Sequence, residues 1–263
     1  MTETGTIPLS IVDLVVASAL VFVAAGIAAW QRVGLARGFL WGGVRAALQL
    51  VAVGYVLTWV FSTRHWSLVL LVLAVMLLAA TKTVTDRHRG EKRTIALIAG
   101  VAMLVGAGVT LAYVDVLVVH ATPWYDPRYV IPLFGMIVGN AMNGAALAAE
   151  RLASEMEARR GEVEAWLALG ASPQQASAEP VRRALNAALI PAVNGLMIVG
   201  LVSLPGMMTG QILAGASPLL AVRYQIVVAF MLAGAVAITS ACVVLWYREK
   251  FFTASEQLAQ RKA

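Results

Sequence analysis

Polar side chains inside apolar runs are the first candidates for chemistry in this chain. Arg45 and Gln49 lie four residues apart, so a helix places both on one face. A charge deep in hydrocarbon costs about 2.5 kcal/mol or more, so such an arginine snorkels, pairs or faces a cavity. We assign Arg45 and Gln49 to a candidate path through the membrane, with a snorkelling arginine as the alternative.

A later apolar run carries a second polar face. Met136, Asn140 and Asn143 follow the spacing i, i+4, i+7 and share one side of a helix. Hydrocarbon cannot satisfy an amide, so the two asparagines either bond a neighbouring helix or line the same path. Gly135 and Gly139 in this run permit close contact with another helix.

A third apolar run is interrupted by Pro205-Gly206, and Met207, Met208 and Gln211 follow directly. Proline removes a backbone hydrogen bond, so a break at this depth must be buried in protein or line a cavity. The two methionines are either flexible packing or soft metal ligands. We add Met207, Met208 and Gln211 to the candidate path residues.

Motifs of catalytic and metal sites are missing from the sequence. His, Cys and carboxylate residues form no group with ligand spacing, so we assign no metal ligand. There is no G-x-S-x-G nucleophile elbow, no H-E-x-x-H and no G-x-x-x-x-G-K-[ST] loop to cradle ATP phosphates. We therefore expect neither enzyme activity nor a cofactor in this chain.

The composition is that of a polytopic membrane protein. Hydrophobic residues make up 60% of the 263 residues and charged residues only 13%, against about 45–50% apolar residues in soluble domains. The net charge of +6 arises between the apolar runs, which indicates membrane topology rather than a nucleic-acid partner. The single cysteine, Cys242, excludes an intrachain disulfide.

Seven apolar segments approach the ~20 residues that cross a hydrocarbon core ~30 Å thick. The sequence therefore predicts an all-α protein of about seven transmembrane helices in a single permease domain, residues 1–263. The predicted spans are 7–30, 39–61, 66–84, 94–119, 129–149, 191–208 and 224–247.

The basic residues predict the orientation. With the N-terminus outside, 16 of the 20 Lys and Arg residues fall in inside segments and three in outside segments. We therefore expect a multi-pass protein of a bacterial inner membrane, with N-out, C-in topology. Both the long segment 150–190 and the tail 248–263 then face the cytoplasm. The tail is expected to be an exposed helix or a frayed end.

Segment 150–190 reads as two helices joined by a tight turn. Val163, Trp166 and Leu167 recur at i, i+3, i+4, and Gly170 is a natural helix stop. Ser172 and Pro173 suit the N-cap and first position of a new helix, with Gln175 completing a capping box. This segment is either a solvated connection or a docking element for a soluble partner.

A resemblance to a known loop favours the interpretation of segment 150–190 as a docking element. Glu164-Ala165, Gly170 and Ile190-Pro191 resemble the EAA-type loop of ATP-binding-cassette (ABC) permeases, which fits a groove in the ATPase. The resemblance implies a docking site made of Glu164, Trp166, Leu167, Gly170, Ala171, Ser172 and Pro173.

Four longer runs also resemble one family. They are GLVSLPGMMTGQILAGASPLLAVRYQIVVAFML (200–232), IPLFGMIVGNAM (131–142), LALGASPQQAS (167–177) and WGGVRAALQL (41–50). Together they resemble the FetB (YbbM) type of ABC permease, known as bacterial iron exporters, with plant relatives in aluminium tolerance.

This resemblance implies an exporter that moves a metal ion, iron being the expected cargo. It also implies two copies of a separate ATPase subunit, which binds the ATP and Mg, and a second copy of the permease. A nucleotide sugar or another metal is the alternative cargo. An ATP-independent secondary transporter and a membrane scaffold without transport are the alternative classes.

Overall fold

The structure is a computed structural model, and it describes residues 10–63, 65–88, 91–120 and 122–259. Throughout these residues the regular structure is helical, so the all-α prediction is confirmed. The α-helices are α1 (Ile11–Trp30), α2 (Ala36–Thr63), α3 (Trp66–Arg87), α4 (Lys92–Val114), α5 (Pro127–Ala158), α6 (Arg160–Ala168), α7 (Pro173–Ala176), α8 (Ala178–Ile198), α9 (Gly206–Leu213) and α10 (Pro218–Arg248). A π-helical turn (Asp115–Val119) follows α4, and a 3₁₀ turn (Glu249–Phe251) follows α10.

Six helices within the described ranges are long and apolar enough to cross a membrane. They are α1, α2, α3, α4 with its π-helical turn, α5, and α10 with its 3₁₀ turn. They match six of the seven predicted spans, while the count of seven and the orientation stay predictions. Residues 7–9 of the first predicted span lie outside the described residues, as do four of the basic residues counted for topology, Arg64, Arg89, Arg261 and Lys262.

The predicted sixth span, 191–208, is a broken segment. Helix α8 passes through Pro191 and ends at Ile198, because an internal proline removes only one backbone hydrogen bond. Gly200 then adopts φ +83°, in the left-handed region that glycine tolerates, and its N–H donates to the Ser203 carbonyl at 2.9 Å. Pro191, at the start of the predicted span, therefore does not interrupt α8, whereas the predicted break at Pro205 is confirmed: this residue is the N-cap of α9.

Small residues let α4, α5 and α10 pack closely at the centre of the bundle. Gly106 of α4 lies against Thr239 of α10, where an added Cβ would collide with the threonine hydroxyl. A Cβ on Gly144 of α5 would lie 2.8 Å from Ser240 Oγ. Both contacts bring helix backbones close together and so increase the dispersion contacts between them. Such packing matters in a membrane, because lipid is as apolar as the side chains and the hydrophobic effect does not drive helices together.

Contacts between distant residues define two ends of the bundle. His88 Nε2 and Tyr247 Oη are 2.8 Å apart, so the end of α10 lies beside the end of α3. We call this the hairpin end, after the helix-turn-helix segment 150–190 that lies here. At the opposite end, Val119, Arg128, Met207 and Tyr224 line one small cavity of about 50 Å³. Met207 belongs to α9, so α9 lies at the end of the bundle opposite to His88 and Tyr247.

Helices α1 and α2 form a hairpin at the edge of the bundle. Gly43 of α2 faces Val21 of α1, and an added Cβ would lie 3.0 Å from the valine. Near its C-terminal end, α2 is anchored by Val60, which is buried with Val69, Val130 and Ile131. Most of the remaining length of α2 is exposed in the single chain.

The described part of the tail differs from the prediction of an exposed helix or frayed end. Phe252 and Leu258 form an isolated bridge, and the Thr253 N–H donates to the Gln257 carbonyl at 2.8 Å. Phe251, Phe252 and Leu258 pack partly buried against the main core. The tail folds back because burial of three large apolar side chains is more favourable than leaving them exposed on a solvated helix.

Candidate functional site

The turn in segment 150–190 has the predicted local geometry. Gly170 has φ +88°, directly after the C-cap of α6 at Leu169. The Gly170 N–H donates to the Leu167 carbonyl at 3.0 Å, and the Ala171 N–H donates to the Trp166 carbonyl at 3.0 Å. This pair of bonds is a Schellman motif, which satisfies carbonyls at the end of a helix.

A capping box restarts the chain one residue later. The Gln175 N–H donates to Ser172 Oγ at 3.3 Å, and the Ser172 N–H donates to Gln175 Oε1 at 2.9 Å. Pro173 occupies the first helical position and is buried. The buried Ser177 hydroxyl donates to the Pro173 carbonyl at 2.6 Å and joins α7 to α8. The predicted stop, N-cap and capping box are confirmed, although the restarted helix α7 is only four residues long.

Glu155 joins the helices around this turn, and sequence reasoning missed it. Glu155 is buried, with only 7% of its surface exposed to solvent. Its carboxylate lies 2.6 Å from Arg151 Nη2, 3.2 Å from Arg159 Nε and 3.9 Å from Arg183 Nε. Arg183 belongs to α8, so one carboxylate connects the end of α5 with the start of α8. Several of the residues around Glu155 in the sequence are charged, as on an exposed helix, so the sequence does not indicate that this carboxylate is buried.

A second ion-pair group reinforces the start of α8. Arg183 Nε donates to Glu179 Oε1 at 2.7 Å, and Arg182 Nε donates to Glu179 Oε2 at 2.9 Å. These hydrogen bonds, from Arg183 first and Arg182 second, lower the pKa of Glu179 from its ordinary value. The Glu179 carboxylate therefore stays ionised and holds both arginines on one side of the helix.

Helix α6, the turn at Gly170 and helix α7 form a compact unit that we call the corner. It exposes large apolar side chains. Val163 is fully buried, and Leu167 packs partly buried on the core. Trp166, however, is 52% exposed and Leu169 is 82% exposed. Leu169 was missed as a site residue, because it falls outside the i, i+3, i+4 pattern of the buried face. Exposed apolar side chains on a rigid, otherwise charged surface are typical of a binding site.

Two open grooves flank α6, each of about 520 Å³. The first is lined by Glu164, Leu167, Ala168, Gly170 and Ala171 and by four tail residues, Ser255, Glu256, Gln257 and Leu258. The second is lined by Arg159, Glu162, Trp166, Gln175, Ala176, Ala178, Glu179 and Arg182. The predicted docking residues thus lie together on one corner, and the tail contributes a wall that the sequence did not predict.

The candidate path residues of α5 lie on its open side. Asn140 and Asn143 are exposed and Met136 is half-buried. Asn140 Nδ2 donates to the Met136 carbonyl of its own helix at 2.9 Å. Neither amide bonds a neighbouring helix within the described residues, and their assignment to the path stays a prediction.

Arg45 and Gln49 are exposed on α2, where the helix has left the rest of the bundle. Because α-helical residues repeat every 3.6 positions, Gln49 lies on the same side of α2 as Val60, and Arg45 close to it. Val60 is the residue that anchors α2 to α3 and α5. The polar pair therefore lies on the side of α2 that is directed towards the bundle.

The candidate residues of α9 lie apart from the two asparagines. Met207 lines the small cavity at the opposite end and packs against the core. Met208 is half-buried, and Gln211 Oε1 is buried without a hydrogen-bond partner in the described chain. The structure thus brings Met207 to the mouth of the bundle and does not bring it to Asn143.

Sequence reasoning also missed Asn194 of α8. Helices α5 and α8 run in opposite directions from the ion pair of Glu155 with Arg183. Asn143 precedes Glu155 by about as many residues as Asn194 follows Arg183, so both lie about 17 Å from that pair. Asn194 is exposed. It was overlooked because no second polar residue lies three or four positions away, on the same face of α8.

Metal ligation has no preassembled cluster here. Across the described ranges, no group of three or more His, Cys, Asp or Glu residues could hold a metal ion. The candidate path residues offer amides, one guanidinium and thioethers. Such groups suit transient contact with a passing solute better than tight coordination.

Fold and site together define a polytopic, all-helical membrane protein with a rigid helical corner at one end. The chain belongs to the family described as Uncharacterised protein family (UPF0014), whose model matches residues 11–252.

Three relatives show how far the likeness extends. The chain is 44% identical to the UPF0014 membrane protein slr1647 of Synechocystis, over 87% of this chain and 88% of the relative. It is 41% identical to the UPF0014 membrane protein STAR2 of rice, over 93% and 84%. It is 40% identical to the probable iron export permease protein FetB of Escherichia coli, over 94% and 93%. No solved structure matches the chain.

Proposed function

We propose that this chain is the membrane-spanning subunit of an ABC exporter that moves iron out of the cytoplasm. Two copies form the path, and two copies of a separate subunit bind and hydrolyse ATP with Mg. The relative from Escherichia coli is named as a probable iron export permease. The chain itself carries no phosphate-binding loop, as a permease with a separate ATPase requires.

The observation that carries this proposal is the corner at the hairpin end. Trp166 and Leu169 are exposed on a turn whose backbone is held by a Schellman motif and a capping box. Rigid anchors of this kind bind with little loss of conformational entropy. The grooves on both sides of α6 give a partner protein room to enclose the corner.

The corner is coupled to two membrane helices. Glu155 of α5 contacts Arg159, which precedes α6, and Arg183 of α8. When the ATPase dimer closes, displacement of the corner therefore moves α5 and α8 together. Closure favours one arrangement of these helices over the other because the ATPase binds nucleotide more tightly in that state.

We assign the path to polar and thioether side chains that are exposed or half-buried in the single chain. Its members are Arg45, Gln49, Met136, Asn140, Asn143, Met208 and Gln211, with Met207 at its mouth. Hydrated amides and thioethers offer weak ligands, so a cation would bind along such a path without being trapped.

Reconstitution with the ATPase tests the docking. The chain is co-expressed with the ABC ATPase encoded beside it, and Trp166→Glu and Leu169→Glu are compared with the wild type. Each variant places a charge on the exposed apolar surface, so we expect co-purification and ATPase stimulation to fall at least tenfold. Ser154→Glu, on an exposed position of α5 away from the turn, is the control. Undiminished co-purification in both variants would remove the corner from the interface.

Inverted membrane vesicles test the cargo and the energy source. We expect ATP-dependent accumulation of iron in vesicles that contain both subunits. Accumulation that needs a proton gradient but no ATP would identify a secondary transporter instead. ATPase stimulation without iron accumulation would retain the ABC class and reject iron as the cargo.

A further inference from the structure

One face of α5 is left uncovered within the membrane. Met136, Gly139, Asn140, Asn143 and Leu147 lie on this side of the helix and are exposed or half-buried. The opposite side, with Ile137, Ala141, Ala145 and Ala148, is completely buried in the core. The amide of Asn143 has no hydrogen-bond partner among the described residues, and Asn140 bonds only to its own helix.

The two glycines of this helix have different surroundings. A Cβ on Gly135 would lie 2.8 Å from Met76 Cε, so Gly135 serves packing against α3 inside the chain. A Cβ on Gly139 would meet nothing within 4 Å. Gly139 therefore leaves a shallow place beside Asn143 where another helix can approach closely.

The irregular segment 199–205 lies at the same depth. It begins directly after Ile198, the last residue of α8. Because α5 and α8 run in opposite directions from Glu155 and Arg183, the helical rise places Ile198 level with about residue 140 of α5. Leu201 is 89% exposed and Val202 is 81% exposed. Non-helical backbone in the hydrocarbon region is tolerated where protein covers it or where it lines a water-filled cavity. Within a single chain this segment has no such cover.

We infer that a second copy of this chain packs on the α5 face and on the segment 199–205. This inference rests on the proposed function, in which two permeases form the path, and it adds the surface through which they meet. Lipid cannot bond the amides of Asn140, Asn143 and Asn194, whereas a water-filled cleft between two identical chains satisfies them and leaves them free to line the path. An amide both donates and accepts, so it is compatible with the same amide of the other copy across that cleft. A self-complementary group is what a two-fold symmetric interface requires, since the same patch meets itself.

Photocrosslinking tests this interface on the chain expressed without any ATPase. A benzophenone amino acid replaces Leu147 or Leu201, and the membranes contain two forms of the chain with different epitope tags. Both positions are exposed, so the substitution leaves the core unchanged. We expect an adduct of twice the 27.8 kDa chain mass that carries both tags.

The matched control is the same amino acid at Leu104 of α4, which is 54% exposed. Leu104 lies near the level of Asn143, because Gly106 and Gly144 contact successive residues of α10, Thr239 and Ser240. We expect at least a fivefold lower yield of the two-tag adduct there. An equal yield at Leu104, or adducts of positions 147 and 201 with another protein or with lipid only, would overturn the inference.

The two proposals fail separately. Loss of ATP-dependent transport with intact crosslinking at positions 147 and 201 rejects the proposed function alone. Crosslinking at Leu104 instead, together with ATP-dependent transport, retains the exporter and rejects this face.

Discussion

Glu155 Oε2 lies 3.9 Å from Arg183 Nε and so connects α5 to α8 at the point where both enter the hairpin corner. The same carboxylate contacts Arg151 and Arg159, so it gathers three guanidinium groups around a buried position. Because Glu155 is buried and its partners are partly exposed, removal of the carboxylate leaves cations that water can reach. The contact therefore serves mainly to hold the geometry of two helices.

Replacement of Glu155 by Gln tests this coupling. An exposed ion pair contributes about 0–1 kcal/mol, and breaking a buried one costs about 3–5 kcal/mol. For a carboxylate between these limits we expect a loss of about 1–3 kcal/mol and a lower Tm. ATPase stimulation should fall more than co-purification, since the corner remains but no longer moves α8.

Glu157→Gln is the matched control, because Glu157 is an exposed carboxylate of the same helix and makes no ion pair with the described residues. It should leave both Tm and ATPase stimulation near the wild-type values. Equal effects of the two substitutions would show that Glu155 has no special role in coupling.

Gly170 tests whether the backbone of the turn matters for docking. Its φ of +88° disfavours any residue with a Cβ, while an added Cβ meets nothing within 4 Å. Gly170→Ala should therefore cost about 1 kcal/mol or more through backbone strain alone, and it should weaken binding of the ATPase.

Gly161→Ala is the control for Gly170. Gly161 lies in α6, and an added Cβ there also meets open space. Alanine favours a helix over glycine by about 1 kcal/mol, so this variant should be neutral or more stable. The measurements are thermal unfolding and co-purification. If both variants behave alike, the left-handed conformation of Gly170 is not needed.

Asn143→Leu distinguishes a path residue from one that bonds helices. Leucine is similar in volume and removes the polarity. Asn143 makes no hydrogen bond within the described chain, so the Tm should change little, whereas a typical interhelical bond in a membrane contributes about 0.6 kcal/mol. Transport should fall because the path loses a polar group, with the ATPase still bound. A lower Tm together with full transport per folded molecule would contradict the path assignment.

Topology is tested with single cysteines in a Cys242→Ala background. Ser62 and Ser154 are both exposed, near the ends of α2 and α5 respectively. The bias of Lys and Arg predicts that a cysteine at position 62 reacts from outside the cell and one at position 154 from the cytoplasm. Labelling in the reverse pattern would invert the predicted orientation.

Local chemistry was sufficient to predict the turn at Gly170 and the capping box at Ser172. A glycine that takes positive φ, and a Ser-Pro-x-Gln run that forms a capping box, depend on neighbours within three or four residues. Five of the six long helices begin and end within about six residues of the predicted spans, because a run of apolar residues long enough to cross a membrane is itself a local signal. The exception, α5, continues beyond its span into the corner as far as Ala158, where polar side chains favour helix as well as apolar ones do.

Contacts between distant segments decided the rest. The chain alone could not show that Glu155 meets Arg183, that Leu258 folds back onto the core, or that Leu169 is left exposed, since each depends on which helices become neighbours. Nor did Pro191 reveal that α8 continues to Ile198, because the packing of α8 on α5 outweighs one lost hydrogen bond. Sequence therefore determined the helices and the turn, and tertiary structure determined which polar faces remain open for partners.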